Sequence, residues 1–498
     1  MIYPGVAQMV ARLLWEQDAA GSNPVTRTTA EQVGENLLCF FMCKNRQSFD
    51  ASVCVFRRIL SRGDNMIHSI WADTSVLPEF DPLEGDCKTD VLVIGGGMAG
   101  LLCTYLLKQA GMDCLLIEAD RICRGVSGNT TAKLTVQYGL IYDKMLRRFG
   151  AEKTRMYLEA NEAALEQYRK LCQKINCDFE SKDSFVYSLD EPRKLERELE
   201  ALHRIGFRAD YADQLPLPFD TAGAVCVRNQ AQFHPLKFAA EIAHGLPIRE
   251  RAAVRAFDGH AIVTNRGKIT ASKIIVATHF PLFNKHGAYF LKLYQHRSYV
   301  LGLEHAPDVD GMYVDEARGG MSFRNYNGLL LLGGGGHRTG KPGGGWAELE
   351  RFAQEHYPDA REHCRWATQD CMTLDDIPYI GPYSRTTPNL YVATGFNKWG
   401  MTSSMTAAML LCDLIQEKQS DFAPVFSPSR TMLHPQLASN ILEATANLLT
   451  ISKPRCPHMG CALKWNAQEH SWDCPCHGSR FTEDGTLMDN PATGNLKK

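Results

Sequence analysis

Between Asp90 and Asp120 the chain reads DVLVIGGGMAGLLCTYLLKQAGMDCLLIEAD: an apolar run, a glycine turn, a helix-period stretch, and a second apolar run closing on the acid Glu118. Apolar runs bounded by glycine predict strands buried on both faces, and the helical spacing between them predicts a helix. The same reading makes KIIVATHFP (273–281) a buried strand and TLDDIPYIGP (373–382) the loop into a final strand. NLYVATGFNKWGMTSSMTAAMLLCDLI (389–415) then predicts a strand, a glycine turn and a long apolar helix starting near Gly400. A helical stretch covers 142–175, where Met145, Leu146, Tyr157, Leu158, Ala164 and Leu165 recur at helix spacing and are expected in the core. Strand-like patterning fills 183–265 and 295–370, and HPQLASNILEATANLLTISKPR (434–455) predicts a helix and linker.

The first 65 residues show neither period, as in GVAQMVARLLWEQDAAGSNPVTRTT (5–29). Gly21-Ser22-Asn23-Pro24 is what the T-arm of a transfer RNA gene spells when read as codons, and Leu14-Trp15-Glu16 can encode an anticodon loop carrying UGG. The segment resembles a conceptual translation of a proline transfer RNA gene. Residues 1–65 are therefore expected to be a non-native leader, with Met66 as the biological start.

A length of 498 residues suggests about two or three domains. The 44% hydrophobic and 22% charged fractions are those of a globular protein, and 54 Lys+Arg against 56 Asp+Glu argue against nucleic acid as a main partner. No apolar run approaches the roughly 18 residues of a transmembrane segment and no secretion signal opens the chain, so the expected location is cytoplasmic. The 17 cysteines are odd in number and scattered through predicted elements, the pattern of reduced thiols. Only Cys456, Cys461, Cys474 and Cys476 form a spaced set.

The 90–120 segment has the parts of a βαβ dinucleotide-binding unit. Gly95 permits the tight turn, Gly97 lets the backbone approach a pyrophosphate beside Met98 and Ala99, and Gly100 allows close helix–strand packing. The helix N-terminus offers free N–H groups to phosphate, and Glu118 is placed to bind ribose hydroxyls. The adjoining segment favours FAD over NAD: RGVSGNTTAKLTVQYG (124–139) supplies small and hydroxyl-bearing residues, among them Ser127, Thr130 and Thr131, that can lie along a pyrophosphate and a flavin ring. Downstream, the turn at Gly395 and the helix entrance Trp399-Gly400-Met401 would point a positive dipole end at the N1–O2 edge, where a reduced flavin gathers negative charge.

Taken in order, these segments resemble the FAD-dependent oxidoreductases of the D-amino-acid oxidase and glycine oxidase type over roughly residues 88–420. The resemblance implies a Rossmann-like FAD-binding domain (88–140, 236–285, 371–420) interrupted by a β-rich substrate domain (141–235, 286–370). It also implies oxidation of amines or amino acids by hydride transfer to flavin N5. The arginine and tyrosine that clamp a substrate carboxylate in that family have no clear counterpart: Tyr299, Tyr313, Arg318, Arg324 and Tyr326 are all eligible, and each can equally be an ordinary strand residue. The catalytic residues stay unassigned. LLLLGGGGHRTGKPGGG (329–345) is readable as a phosphate cradle or as a mobile loop over the active site, and His279 and His337 as proton-transfer or structural histidines.

Near the C-terminus, CPHMGC and CPCHGSRF form two boxes, Cys456-x-His458 and Cys474-x-x-His477. Zinc fingers usually pair like ligands, cysteines together and histidines together. Boxes that mix them match a [2Fe–2S] centre in which two thiolates bind one iron and two imidazoles the other, and they resemble those of Rieske proteins. The resemblance implies a disulfide between Cys461 and Cys476, with free thiols as the alternative. It implies tight turns at Gly460 and Gly478, and a hydrogen bond from Ser479 to a bridging sulfide that raises the potential. About 45 residues follow Pro454, few for an independent core. This small all-β module (454–498, after a linker helix at 426–453) is expected to dock on the flavin domain, with the cluster contributing to folding.

The expected fold class is thus α/β with α+β insertions, an FAD-dependent oxidoreductase domain at 66–425 followed by a Rieske module, a combination that resembles a group of bacterial fusions. A flavin takes electrons in pairs and can release them singly, whereas a Rieske cluster accepts one at a time. The expected function is dehydrogenation of a small amine-like or amino-acid-like substrate, with electrons passing through the [2Fe–2S] cluster to a one-electron acceptor protein, a membrane-associated one included. Reverse flow from a donor protein, and a redox sensor or carrier without a dedicated substrate, are the alternatives. A Rieske oxygenase is disfavoured because no 2-His-1-carboxylate iron site is evident.

Overall fold

The structure, a computed structural model, describes residues 68–259, 261–283 and 286–497, so the reading of residues 1–65 as a leader lies outside the described residues. The first sheet grows from the strand Cys87–Ile94, whose last four residues are all buried. It runs parallel to Cys114–Ile117 on one side and Lys268–Val276 on the other. Ile248–Arg249 and Leu390–Thr394 extend the parallel set at either end, and Tyr379–Pro382 closes one edge antiparallel. Helices Met98–Gln109 and Gly400–Ile415 pack on each other beside these strands, the second coming close because Ser403, Ser404, Ala407 and Ala408 are small and buried. Parallel strands apolar on both faces require such helical cover.

The second sheet has nine strands. Its path is Arg361–Thr373, Leu293–Glu304, Leu329–Arg338, Ser322–Tyr326, Met312–Asp315, Glu180–Tyr187, Ala224–Gln232 and Lys133–Leu134, with Asp210–Ala212 beside Ala224–Gln232. Both predicted insertions therefore build one wall. The helix Tyr142–Cys172 is broken at Gly150, where φ is 80° and ψ 172°, so the single predicted helix is two. Met145, Tyr157, Leu158, Ala164 and Leu165 are buried in the core, and Leu146 packs against it.

Much of the glycine run 329–345 is strand and not loop: Leu329–Arg338 pairs with Leu293–Glu304 along most of its length and with Ser322–Tyr326 from Leu329 to Gly333. The turn after it lies under the C-terminal module: Gly340 has φ +74°, and a Cβ there would sit 2.8 Å from Pro475 N. Close approach of another backbone excludes a side chain.

That module is a four-stranded antiparallel meander of Lys464–Asn466, Ser471–Asp473, Arg480–Thr482 and Leu487–Asp489. Its own core is small, built from Cys456, Cys461, Leu463, Cys474, Cys476, Phe481 and Ala492. Helix Pro435–Leu449 leads into it. Among the described residues no helix is long and apolar enough to cross a membrane.

Candidate functional site

A cavity of about 1310 Å³ runs from the glycine turn to the substrate sheet. Gly95, Gly97, Met98, Ala99, Glu118, Ser127, Thr130, Thr131, Trp399, Gly400 and Met401 all line it. Gly100 and Gly395 lie outside that lining. Gly100 is a packing position, since a Cβ there would be 1.8 Å from Gly95 O, and Gly395 turns the chain beside Thr373. Glu118 accepts from the N–H groups of Gly96 (2.6 Å) and Asp120 (2.9 Å). Burial pushes its carboxyl up, and those backbone donors pull against it. Ser127 Oγ accepts the Met98 N–H at 2.9 Å, tying the hydroxyl-bearing loop to the start of the first helix. Among the described residues no side chain caps helix Gly400–Ile415, which leaves its first N–H groups for a ligand. Glycine turn, acid, hydroxyl-bearing loop and this open helix start around one cavity fit FAD.

Two residues brace that loop, Trp71, which the sequence reading passed over, and Arg324, a clamp candidate. Trp71 is fully buried and donates from Nε1 to Thr130 O at 2.7 Å. Arg324, also fully buried, donates to the carbonyls of Thr131 (2.8 Å) and Ala132 (2.9 Å), which uses it structurally and removes it from the clamp candidates. Of the other candidates, Tyr313 and Tyr326 lie off the cavity and Tyr299 gives its hydroxyl to Glu469 at 2.9 Å. Arg318 lines the cavity with its side chain 67% exposed and Asp376 at 3.8 Å. Trp346, Trp366, Asp370, Lys133 and Lys398 also line the cavity. Burial, reinforced by Arg324, lowers Lys133 to about 7. Lys398 is open to the cavity, and the protein around it lowers its pKa while Asp370 raises it. His279 meets Gln295 at 3.0 Å, and His337 stacks on Tyr299 with centroids 5.6 Å apart.

In the C-terminal module the two boxes fold as matched turns: Gly460 N–H reaches Cys456 O and Gly478 N–H reaches Cys474 O, each at 2.9 Å. The turns bring the Cys456 and Cys474 thiols next to each other. They also set the His458 and His477 rings perpendicular, with centroids 4.9 Å apart. Cys456, Cys474 and His477 are buried, and His477 Nδ1 has no hydrogen-bond partner among the described residues. A buried ring nitrogen left open beside paired thiols fits a metal ligand. Cys461 and Cys476 form a disulfide with Cα atoms 6.8 Å apart. Their sulfurs and that of Cys474 lie within 4.8 Å of one another, but with two of the three joined this trio is no thiolate site. Hydrogen bonding with Cys474 is the main effect lowering the Cys456 thiol, and Ser479 adds to it. Ser479 Oγ accepts the Ala492 N–H at 2.9 Å, leaving its proton for sulfur.

The module docks through buried charge. Glu469 accepts from Arg297 Nε (3.0 Å), Tyr299 Oη (2.9 Å) and Arg480 (2.8 Å), and Arg480 also reaches Asp473 (3.0 Å) and Asp489 (3.2 Å). Burial pushes the Glu469 carboxyl up, yet the two guanidiniums overcome it and hold it at about 2. Gln369 donates to Gly478 O at 2.9 Å, and Asn490 donates to the carbonyls of Thr278 (2.5 Å) and Phe280 (3.1 Å). As a result the Phe280 ring lies 6.2 Å from His458 and 6.1 Å from His477. Glu469, Arg480, Met488, Asp489 and Asn490 line the same cavity as the glycine turn. The one sequence signal for this network is a charged residue, Arg297, inside the otherwise mostly buried strand Leu293–Glu304.

Comparison with known proteins finds relatives of both parts of the chain. A family model described as FAD dependent oxidoreductase matches residues 90–414, and one described as Rieske [2Fe-2S] domain matches 439–498, starting inside helix Pro435–Leu449. A Bacillus subtilis (strain 168) protein named as a Rieske 2Fe-2S iron-sulfur protein, YhfW, is 33% identical over 501 residues, covering 86% of this chain and 96% of its own length. Gamma-glutamylputrescine oxidoreductase of Escherichia coli (strain K12) is 27% identical over 378 residues, or 68% of this chain and 86% of its own. Among solved structures, glycine oxidase from Geobacillus kaustophilus shares the fold at a TM-score of 0.60 and 21% identity, covering 69% of this chain and 99% of that one. L-proline dehydrogenase from P. horikoshii does so at 0.59 and 16% identity, over 70% and 98%. With the dinucleotide cradle inside the first match and the paired cysteines and histidines inside the second, the chain belongs to the FAD-dependent oxidoreductases of the D-amino-acid oxidase type and carries a Rieske [2Fe–2S] domain at its C-terminal end.

Proposed function

We propose that the protein works in the cytoplasm as a dehydrogenase of a small amine or amino acid, with electrons leaving through the Rieske cluster to an external one-electron acceptor protein. One observation carries this reading: the C-terminal module supplies part of the wall of the cavity that fits FAD, and its histidine pair lies on Phe280, next to the cavity residues Thr278 and His279. The bound groups supply paired-electron oxidation and one-electron transfer respectively. In this reading Cys456, Cys474, His458 and His477 hold the irons. Glu118 and the two helix starts orient the dinucleotide, and Arg318 presents a guanidinium to a substrate carboxylate. Trp346 and Trp366 contribute apolar surface to the cavity wall, while Glu469 and Asn490 clamp the module in place. A relative named for gamma-glutamylputrescine supports the amine class.

Anaerobic reduction with a panel of amines and amino acids, followed by low-temperature EPR, tests the route. A panel compound should raise a rhombic signal whose average g lies below that of all-cysteine clusters. A cluster-free Cys456→Ser variant should still bleach its flavin with that compound and lose turnover with a one-electron acceptor. Fast oxygen-driven turnover in that variant would sink the dehydrogenase reading.

A further inference from the structure

Helix Pro435–Leu449 is amphipathic with its faces reversed. Its polar stripe meets the protein: Asn440 donates to Leu291 O (3.1 Å) and accepts from Arg338 (3.0 Å), and Asn447 is buried, its backbone carbonyl accepting the Ala462 N–H (3.0 Å). Glu443, the one charged residue of the helix, pairs with Lys341 at 2.8 Å. The opposite arc carries Ala438, Leu442, Ala446 and Leu449, spaced i, i+4, i+8 and i+11, with both leucines well exposed. Leu442 is 70% and Leu449 65% exposed; Leu433 before the helix is 84% and Ile451 after it 99% exposed. A continuous aliphatic face open to water marks a binding surface.

Its chemistry indicates what it binds. The stripe has no Tyr, Trp or Arg anchor of the kind that concentrates energy in protein interfaces. Just past the helix stand two cationic residues, Lys453 and Arg455. Aliphatic residues on one arc, bordered by cations, suit a helix lying among anionic headgroups. We propose that helix Pro435–Leu449, with Leu433 and Ile451, seats the protein on an anionic lipid surface without crossing it. Arg455 donates to the carbonyls of Leu448 (3.4 Å) and Gly460 (2.5 Å), so the Leu449–Ile451 end is tied to the loop carrying Cys456 and His458. Seating the helix brings that loop to the bilayer surface, where a membrane-bound one-electron partner can reach it. The lipid contact stands without the redox reading, because it is measured with no substrate and no turnover.

Co-sedimentation of the full-length, flavin- and cluster-loaded protein with vesicles tests the contact, using phosphatidylcholine alone and phosphatidylcholine mixed with phosphatidylglycerol. Binding is expected to the mixed vesicles and to weaken as salt is raised. Leu442→Gln together with Leu449→Gln should cut the partition coefficient by about tenfold or more. Lys453→Gln should cut it by about fivefold on mixed vesicles only. The two leucines are exposed, so flavin content and the cluster EPR signal serve as controls for folding. The proposal is overturned by no binding to mixed vesicles, or by equal binding of the double leucine variant. It is also overturned if light scattering finds a dimer that Leu442→Gln dissociates, which would make the face a contact between two copies.

Discussion

Glu469→Gln removes the charge at the centre of the docking network while keeping its shape. In the folded protein the carboxyl sits between Arg297 and Arg480 and is held at about 2, against 4.5 for an ordinary glutamate. That depression is worth about 3 kcal/mol at neutral pH, the order expected when one partner of a buried charge pair is lost. The folded value is depressed, so the stabilisation is complete above about pH 4.5 and disappears as pH falls through about 2. Guanidinium unfolding at pH 7, followed by the visible absorbance of the cluster, should show the variant less stable by about 3 kcal/mol, with the cluster lost before the flavin domain unfolds. The acid-induced loss expected of the parent below pH 4.5 should be correspondingly smaller in the variant. Combining Glu469→Gln with Arg297→Gln should cost less than the two single changes added together, because the second removes a charge the first left uncompensated. A loss below about 0.5 kcal/mol, or strict additivity in the double variant, would refute the view that this network fastens the module.

Other expectations are narrower. Cys461→Ser opens a link closing a 15-residue separation and should cost the module about 3 kcal/mol, read as faster cluster loss in thermal or denaturant challenge. Ser479→Ala removes a hydrogen bond of about 1–1.5 kcal/mol to the cysteine sulfur and should lower the cluster potential by about 40–65 mV in a redox titration, leaving the EPR line shape rhombic. Arg318→Met should lower kcat/KM about 10- to 100-fold for substrates that carry a carboxylate and leave simple amines nearly unaffected. Gly340→Val places a branched side chain at positive φ against Pro475, and should release the module to limited proteolysis while the flavin spectrum is retained.

The fold class and both cofactors were readable because their signals are local. Strand, glycine turn, helix and acid lie within 90–120, and each cysteine–histidine box lies within one turn, so short-range spacing alone specifies the shape a ligand meets. Features set by distant partners were not readable. Nothing around Gly340 announces that Pro475 will lie against it, and the glycine run therefore reads as a loop. Arg324 looks like a substrate clamp until Thr131 and Ala132 are seen to use its guanidinium. Arg297 stands out as a charge inside an apolar strand, but nothing near it in sequence points to Glu469, its partner 172 residues on. The break at Gly150 is an intermediate case: the glycine was visible, but the period of the flanking apolar residues continues across it.

The shared cavity wall also bears on how the protein is made. Residues 487–490 and 492–495 close one side of the space that fits FAD, and they leave the ribosome after every other residue of that wall. Until strand Leu487–Asp489 and the residues after it have been made, that side of the space stays open, so a chain that stalls before residue 487 lacks one wall of the cavity that fits FAD.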